Sequence, residues 1–243
     1  MKNLVGQIAV ITGASSGIGR AIALSLAEQG CTLCLIGRNP TSLALVASSA
    51  GKSSPKIFSY QIDLAKDDDL EEFGLKIRKD ISHINLLVHC AGVLNIGQVE
   101  DSAISDFDVQ YRVNVRAPYA LTKDLLPMIK CCTGQIVFMN SSIWQQARAG
   151  LSQYAATKYA LKAFADSLRD EVNGDGVRVL SMFLGRTATP MQAALHEKHA
   201  MSYHPEVLIQ PEDIAFTLLH MLSLPYTSEV TDIHIRPMRK SPP

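Results

Sequence analysis

The sequence carries little net charge and has no long apolar run. Its 23 lysine and arginine residues balance 23 aspartate and glutamate residues, so no basic face indicates nucleic-acid binding and no acidic block indicates a disordered tail. No apolar stretch approaches the roughly 20 residues that a transmembrane helix requires. The opening Met1-Lys2-Asn3-Leu4 shows no signal-peptide pattern. We therefore expect a cytoplasmic protein that binds small molecules, with neither nucleic acid nor a membrane as partner.

Cysteine is also scarce, and the number of cysteines is odd. Five cysteines argue against a disulfide framework. Cys31 and Cys34 have the C-x-x-C spacing of a redox pair, but they fall on a predicted strand, where positions three apart point to opposite faces. We therefore predict structural cysteines.

Histidine is grouped in one place without the spacing of a metal site. His196, His199 and His204 lack the i, i+4 pair with which a zinc protease helix binds its metal, and no cysteine or acid pair stands beside them. We predict surface histidines and no metal.

Short apolar runs alternate with longer amphipathic stretches along the whole chain. The predicted strands are Ile8–Thr12, Thr32–Ile36, Lys56–Gln61, Leu86–Cys90, Gln135–Asn140, Val177–Phe183 and Glu229–Arg236. The predicted helices are Gly17–Gln29, Thr41–Ser49, Asp67–Lys79, the Ser105–Lys130 region, Ser152–Asn173 and Pro211–Leu222. Pro118 and Pro127 are expected to interrupt the fourth helical region.

This alternation predicts an α/β protein with a doubly wound, Rossmann-type sheet of about seven parallel strands and helices on both faces. Ligands bind such sheets at the carboxyl ends of the strands. Residues 1–243 are expected to form a single dinucleotide-binding catalytic domain. Within it, residues 186–209 fit neither pattern and are expected to form a flexible flap over the substrate, a common role for a long insertion.

The first predicted strand ends in a glycine turn with the spacing G-x-x-x-G-x-G, and a helix follows. Glycines let the backbone turn tightly and approach a pyrophosphate, while the helix offers its free N–H groups to the charge. No Gly-Lys-Ser/Thr follows, which argues against a P-loop nucleotide hydrolase. The cofactor-binding candidates of this turn are Gly13, Ser15, Ser16, Gly17, Ile18 and Gly19.

The tip of the second strand indicates which dinucleotide binds. An enzyme that uses NAD typically has an acid there, which holds the ribose 2′-hydroxyl, but this sequence reads Leu35-Ile36-Gly37-Arg38-Asn39. The Arg38 guanidinium can bind a 2′-phosphate through two N–H groups. NADP(H) is therefore the predicted cofactor, with Arg20 as a second candidate contact. After the third strand, Asp63 and Leu64 are expected beside the adenine, although a helix-capping role for Asp63 is an almost equal interpretation.

A tyrosine and a lysine four residues apart open the fifth predicted helix and share one helix face. The ammonium of Lys158 and the positive nicotinamide of an oxidised cofactor both favour the phenolate of Tyr154. We therefore expect the pKa of Tyr154 to fall by about two to three units, which is roughly 3–4 kcal/mol. Such a phenol could exchange a proton with a carbonyl or alcohol oxygen. Ser141, at the end of a predicted strand, could donate to the same oxygen, with Ser142 as the neighbouring alternative.

Asn114 lies inside a predicted helix, and Pro118 follows four residues later. Proline has no N–H, so the carbonyl of Asn114 loses its usual helical partner. We expect that carbonyl to be free to hold a water beside the Lys158 ammonium.

Together these residues resemble the short-chain dehydrogenase/reductase family along almost the whole chain. The resemblance rests on Thr12-Gly13-x-x-x-Gly17-x-Gly19, Asp63-Leu64, Ala91-Gly92, Asn114, Ser141, Tyr154-x-x-x-Lys158 and the stretch from Gly185 to Thr189. It implies that the serine orients the carbonyl, the tyrosine transfers the proton, the lysine also binds the nicotinamide ribose, and the asparagine belongs to a proton relay. The implied catalytic residues are Asn114, Ser141, Tyr154 and Lys158. The further cofactor residues that it implies are Ala91, Gly92, Tyr154, Lys158, Gly185, Thr187 and Thr189.

The sequence departs from the family pattern at two places. His89-Cys90 stands where an asparagine pair is common, and Leu184 stands where a proline usually precedes the glycine. We expect both sites to support the cofactor through the backbone, with altered packing and no loss of activity. His89 is expected to be a buried strand histidine with a satisfied proton.

The resemblance implies an NADP(H)-preferring carbonyl reductase that reduces a ketone or aldehyde and, in reverse, oxidises an alcohol. A 3-oxoacyl-thioester reductase is the alternative within the family, and a non-catalytic NADP(H)-sensing protein is the alternative from another class. Family members are usually dimers or tetramers, so a homodimer or homotetramer is expected. The expected substrate-binding residues are Ser141, Ile143, Trp144, Leu151, Tyr154 and Met191, with Val93, Leu94, Asn95, Gln145 and Leu195 around them.

Overall fold

The computed structural model describes residues 4–239, and a parallel sheet runs through the middle of this part of the chain. Its strands are β1 (Ile8–Thr12), β2 (Thr32–Gly37), β3 (Ile57–Gln61), β4 (Leu86–His89), β5 (Gln135–Ser141), β6 (Arg178–Leu184) and β7 (Asp232–Ile235). The seven strands lie in the order β3-β2-β1-β4-β5-β6-β7. From β1, the strands β2 and β3 are added on one side and the strands β4 to β7 on the other. The boundary between β1 and β4 is therefore the switch point at which such sheets bind ligands. The predicted fold class is confirmed.

Helices cover both faces of the sheet, because the strands are apolar on both sides. The helices are α1 (Gly17–Glu28), α2 (Pro40–Ala50), α3 (Asp67–Asp80), α4 (Ile104–Tyr111), α5 (Ala117–Lys130), α6 (Ser152–Val172), α7 (Pro190–Lys198) and α8 (Pro211–Leu222). One core lies between the sheet and α1, α2 and α8, and the other lies between the sheet and α3, α5 and α6. Leu86 and Val88 of β4 point into the first core and Leu87 into the second.

The C-x-x-C pair is divided between these two cores. Cys31 packs on the side of α1 and Cys34 on the side of α3, so the predicted opposite orientation is confirmed. Burial raises the pKa of the Cys31 thiol to about 11 and that of Cys34 to about 12. Both are therefore unreactive thiols at neutral pH.

The fourth predicted helical region contains a π turn, Arg112–Arg116, between α4 and α5. The N–H of Ala117 bonds to the carbonyl of Arg112, five residues earlier. Pro118 follows in the first turn of α5, and because the helix runs on from the π turn, the missing N–H leaves the Asn114 carbonyl without this partner. The expected interruption at Pro127 is wrong, because α5 continues through this residue to Lys130.

Residues 186–209 contain a helix, α7, where the sequence pattern predicted none. Thr189 accepts a hydrogen bond from the N–H of Gln192, and Pro190 occupies the first helical position. These are ordinary start signals of a helix. They were overlooked because α7 is short and lacks a clear apolar stripe.

The last strand is shorter than predicted. β7 pairs with β6 over Asp232–Ile235 only, although the apolar pattern extends from Glu229 to Arg236. Before this strand begins, the Glu229 carboxylate accepts the backbone N–H of Val179 at 2.8 Å. The Glu229 side chain thus replaces a backbone hydrogen bond that a longer β7 would have made to β6.

Across residues 4–239, no helix combines the length and apolarity needed to cross a bilayer. No group of three or more histidine, cysteine, aspartate and glutamate side chains in this range could hold a metal ion. Met1, Lys2 and Asn3, on which the signal-peptide prediction partly rests, lie outside the described residues.

Candidate active site

A cleft of about 1620 Å³ opens along the carboxyl ends of the strands. Its lining includes every predicted cofactor residue except Arg20, from Gly13 after β1 to Thr189 before α7. Ser141, Tyr154 and Lys158 line the same cleft, whereas Asn114 is buried and is not among the lining residues. The sheet therefore brings the glycine turn and the candidate proton-transfer groups to one edge.

The glycine turn is tight enough to exclude any side chain. Gly13 has a φ of 66°, and a Cβ there would lie 2.8 Å from the Cα of Ala91. A Cβ on Gly19 would overlap the carbonyl oxygen of Gly13. Without these side chains, a ligand can approach the backbone N–H groups at the start of α1.

A second helix begins beside the first. A Cβ on Gly17, at the start of α1, would lie 3.1 Å from the Cγ2 of Thr189, which caps α7. The N-termini of α1 and α7 therefore converge on one part of the cleft, and both favour a bound anion. The sequence predicts anion binding only at the N-terminus of α1, because it does not predict the helix α7.

The tip of β2 places Arg38 where a 2′-phosphate was predicted to bind. Arg38 is exposed and lines the cleft, whereas Arg20 is not among the lining residues. The preceding Gly37 is packed closely, since a Cβ there would lie 3.2 Å from the Ser15 side chain. The position of Arg20 therefore does not support the prediction that it is a second contact of NADP(H).

Asp63 lines the cleft at the end of β3. Its Oδ1 accepts the N–H of Ala65 at 3.1 Å, and its own N–H donates to Asp69 at 2.8 Å. The helix α3 begins at Asp67 with Lys66 as its N-cap, so the helix-cap interpretation of Asp63 is wrong. The carboxylate instead fixes a short turn at the cleft edge.

Tyr154 and Lys158 lie on the first turns of α6, and Ser141 ends β5. The Ser141 side chain lies near enough to the phenol to lower its pKa. The Lys158 ammonium lies 5.7 Å from the centroid of the Tyr154 ring and donates to the carbonyl of Met139 at 3.0 Å. The predicted spacing therefore brings all three functional groups to one place.

The pKa of Tyr154 differs from the expectation. Burial raises it to about 12, and only the Ser141 side chain acts in the other direction. The expected lowering by the Lys158 ammonium is wrong for this structure, because the ammonium is directed to the Met139 carbonyl. Burial also lowers the pKa of Lys158 to about 8.

Asn140 holds the tip of β5 against α6 and was missed by the sequence analysis. Its Nδ2 donates to the carbonyl of Lys158 at 3.2 Å, and its Oδ1 accepts the N–H of Ser141 at 2.8 Å. One side chain thus fixes the backbone of two candidate catalytic residues. Its place next to Ser141 was the only signal in the sequence.

The Asn114 side chain is fully used in structural contacts. Its Oδ1 accepts the N–H of Val93 at 2.8 Å, and its Nδ2 donates to the Val93 carbonyl at 2.9 Å and to the Thr157 hydroxyl at 3.1 Å. It therefore ties the loop after β4 to α6. A relay role would fall to the main-chain carbonyl of Asn114, which Pro118 cannot engage.

The model of the family described as short chain dehydrogenase matches residues 7–200 of this chain. The chain belongs to the short-chain dehydrogenase family. It is an oxidoreductase of this family. An uncharacterised short-chain type dehydrogenase/reductase of Sinorhizobium fredii is 35% identical over 236 residues, which are 95% of this chain and 91% of that protein. Glycine betaine reductase of Emericella nidulans is 27% identical over 239 residues, but these are 96% of this chain and only 19% of that protein.

Solved structures of similar proteins share the whole architecture of this chain. The alcohol dehydrogenase of Thermococcus sibiricus, complexed with 5-hydroxy-NADP, is 26% identical with a TM-score of 0.88, covering 98% of this chain and 99% of its own. A metagenomic short-chain oxidoreductase in complex with NADP is 26% identical with a TM-score of 0.85, covering 98% and 100%. Both similarities extend over the cleft.

The short-chain dehydrogenase pattern changes at His89-Cys90 without disturbing the backbone there. The Thr12 hydroxyl accepts the N–H groups of Cys90 and Ala91 at 3.0 and 3.1 Å. His89 is buried, its Nε2 lies 2.9 Å from the Thr122 hydroxyl, and burial lowers its pKa to about 3. The predicted burial of His89 on a strand is confirmed, and no partner for its Nδ1 is present within residues 4–239.

The substrate side of the cleft differs from the expectation at Trp144 and Asn95, neither of which lines it. A short 3₁₀ turn, Ser142–Trp144, directs the indole against Phe183 and His234, with centroid distances of 5.0 and 6.1 Å. The other expected residues line the cleft: Ser141, Ile143, Leu151, Tyr154, Met191, Val93, Leu94, Gln145 and Leu195.

Proposed function

We propose that this chain reduces a ketone or aldehyde to an alcohol, reversibly, with NADPH as the reductant and Tyr154 as the proton donor. One observation carries the proposal: the Tyr154 phenol, the Ser141 hydroxyl and the Lys158 ammonium line the same cleft as the glycine turn. Family membership supports the reaction class.

The residues of the cleft fit NADP(H). Gly17 and Gly19 carry no side chain at the α1 N-terminus, and this terminus would hold the pyrophosphate. Arg38 would hold the 2′-phosphate, and Lys158 would hold the nicotinamide ribose. When bound, NADPH supplies a hydride to the carbonyl carbon. The complexes of two similar proteins, one with NADP and one with 5-hydroxy-NADP, support this assignment.

The phenol of Tyr154 acts as the acid. A pKa of about 12 keeps it protonated at neutral pH, so it has a proton to give to the carbonyl oxygen. The Ser141 hydroxyl donates a hydrogen bond to the same oxygen, a kind of interaction worth roughly 2.7–4 kcal/mol in other enzymes. The Lys158 ammonium lies 5.7 Å from the centroid of the Tyr154 ring, and a water on the Asn114 carbonyl would return the proton to the phenol.

Consumption of NADPH with a panel of carbonyl compounds tests this proposal. We expect turnover of at least one ketone or aldehyde, with the alcohol as product. Acetoacetyl-coenzyme A belongs in the panel, because preferred turnover of it would favour the 3-oxoacyl-thioester alternative. Binding of NADPH without turnover of any compound would favour the sensor and contradict the proposal.

Cofactor preference should depend on Arg38. In Arg38→Ala we expect kcat/KM for NADPH to fall about 10- to 100-fold, since a hydrogen bond to a charged group contributes roughly 1.5–3 kcal/mol. Activity with NADH, which lacks the 2′-phosphate, should stay within about twofold. Steady-state kinetics with both cofactors measures this, with Arg20→Ala as the matched control. An equal loss with NADPH and NADH would show that Arg38 does not bind the phosphate.

Reduction should weaken above the pKa of Lys158. The pKa of this ammonium is lowered to about 8 by burial, so the charge is present below that pH and is lost as the pH rises through it. We expect kcat/KM for NADPH to decline about tenfold per pH unit on the alkaline side, because this ratio reports the groups of the free enzyme. Profiles from pH 6 to about 10 for wild type and Lys158→Arg, whose cation persists, measure the effect. A flat wild-type profile would contradict it.

We also propose that residues 186–209 cover bound substrate. Met191, Leu195 and Met201 of this segment line the cleft. Their apolar side chains would exclude water from the reacting carbonyl.

We also propose that this chain forms the expected homodimer or homotetramer, because large side chains are exposed on three of its helices. Val109, Tyr111, Tyr119 and Tyr159 on α4, α5 and α6 are large apolar or aromatic residues with exposed surface. Such side chains would be covered by a second copy of the chain if they lie in its interface.

A further inference from the structure

Several arginines line the cleft that neither the proposed proton transfer nor the proposed cofactor contacts use. They are Arg148, Arg186, Arg236 and Arg239. The lining residues within 4–239 include one acid, Asp63, which follows β3. The cleft lining therefore carries more arginine than acid, and its acid, Asp63, lies at the β3 end of the sheet.

Strand register places these arginines at the catalytic end of the cleft. Ser141 of β5 pairs with Leu184 of β6, and Leu184 pairs with Ile235 of β7. Arg186 lies two residues after Leu184, and Arg236 directly follows Ile235. Adjacent strands lie about 4.8 Å apart, so the two arginines start from neighbouring backbones. The backbones are in direct contact there, since a Cβ on Gly185 would lie 3.3 Å from the Cα of Arg236. Arg148 belongs to the loop that joins Ser141 to the Tyr154 helix.

The charges of these arginines are not neutralised by the protein. Within residues 4–239, Arg78, Arg112, Arg116 and Arg169 each pair with a carboxylate. No such partner is found in this range for Arg148, Arg186 or Arg236, all of which are exposed to the cleft side. Free guanidinium groups that face one cavity raise the local concentration of anions.

The phosphates of the cofactor are accounted for elsewhere. Arg38 lies at the other end of the cleft, beyond β2, and the α1 and α7 N-termini flank the glycine turn. These groups suffice for the 2′-phosphate and the pyrophosphate. The arginines at the β6 and β7 ends are therefore available to the second reactant.

We infer that the carbonyl substrate carries an anionic group, a carboxylate or a phosphate, which Arg186 and Arg236 bind. This inference rests on the proposed carbonyl reduction and names the substrate class. Guanidinium groups bind both anions through paired N–H donors. Such contacts would hold the carbonyl in register with Ser141 and Tyr154.

Matched substrate pairs test the inference. Acetoacetate is compared with methyl acetoacetate, and dihydroxyacetone phosphate with dihydroxyacetone, in the NADPH-loaded protein. We expect the anionic member of at least one pair to have a kcat/KM about tenfold higher or more, and this advantage should shrink at high salt. The pair that shows it distinguishes carboxylate from phosphate. Equal or lower values for both anions overturn the inference and leave the proposed reduction standing.

Variants assign the effect to the two arginines. Arg186→Ala and Arg236→Ala should each remove most of the anion advantage while changing kcat/KM for the neutral partner less than about twofold. Arg236→Lys should keep part of the advantage because the charge remains. Lys123→Ala removes one exposed charge outside the cleft and should change nothing. An equal loss for both members of a pair, or a loss of NADPH affinity with unchanged selectivity, overturns the inference.

A binding measurement separates this inference from the proposed function. If no compound is reduced, the proposed function fails, and calorimetric titration of the NADPH-loaded protein then decides the inference. Tighter binding of acetoacetate than of methyl acetoacetate, lost in Arg236→Ala, would support an anion site. Equal binding of the two compounds, or binding of neither, would overturn it.

Discussion

Tyr154→Phe is expected to lower kcat/KM for carbonyl reduction by about 10³-fold, because general acid catalysis contributes roughly 10²- to 10⁴-fold. The variant keeps the aromatic ring and removes only the hydroxyl that lies near Ser141. Water would then be the remaining proton source. Steady-state NADPH oxidation with the best substrate of the panel measures the loss.

The control for this variant is Tyr159→Phe, which removes an exposed hydroxyl from the same helix and should change kcat/KM less than about twofold. NADPH affinity, measured by fluorescence titration, should stay within about threefold in Tyr154→Phe. Retention of more than a tenth of the wild-type reduction would show that another group gives the proton.

Gly13→Ala should lower the free energy of unfolding by about 3 kcal/mol. A left-handed φ costs a residue with a side chain roughly 1–2 kcal/mol, and forcing a methyl group into packed backbone adds roughly 1–3 kcal/mol. The methyl group would meet the Cα of Ala91 at 2.8 Å. That backbone cannot easily retreat, because the N–H groups of Cys90 and Ala91 are bonded to Thr12. Urea unfolding without cofactor measures the change.

Gly6→Ala separates the two causes. Gly6 has a φ of 76° and no atom within 4 Å of an added Cβ, so only the backbone strain applies and the loss should be about 1 kcal/mol. Equal losses in the two variants would contradict the account of the glycine turn as a close-packed cradle.

The sheet was predictable because its signals are local. Apolar runs such as Leu86–His89 and the glycine spacing after β1 fix strand positions without knowledge of the remaining chain. Parallel topology then follows from strand–helix alternation, and it brings Ser141 to the cleft lined by Tyr154. The helix α7 was missed because its start signal, Thr189-Pro190, is short and was outweighed by the polar composition around it.

Properties that depend on three-dimensional packing could not be predicted. The indole of Trp144 is directed away from the cleft by a single 3₁₀ turn, which periodicity does not reveal. The pKa of Tyr154 depends on its burial and on the direction of the Lys158 ammonium. Likewise, Arg186 and Arg236 are fifty residues apart in the chain and meet only through the pairing of β6 with β7.

The central claim is that a hydride and a proton reach the same carbonyl group in this cleft. It is tested most directly by mass spectrometry of the products formed with NADPH that carries deuterium at nicotinamide C4, supplied in both stereoisomeric forms. One form should yield an alcohol with one deuterium on the former carbonyl carbon in the wild type, and only a trace of it in Tyr154→Phe. Binding of the labelled NADPH with no deuterated alcohol from any carbonyl compound would contradict the claim.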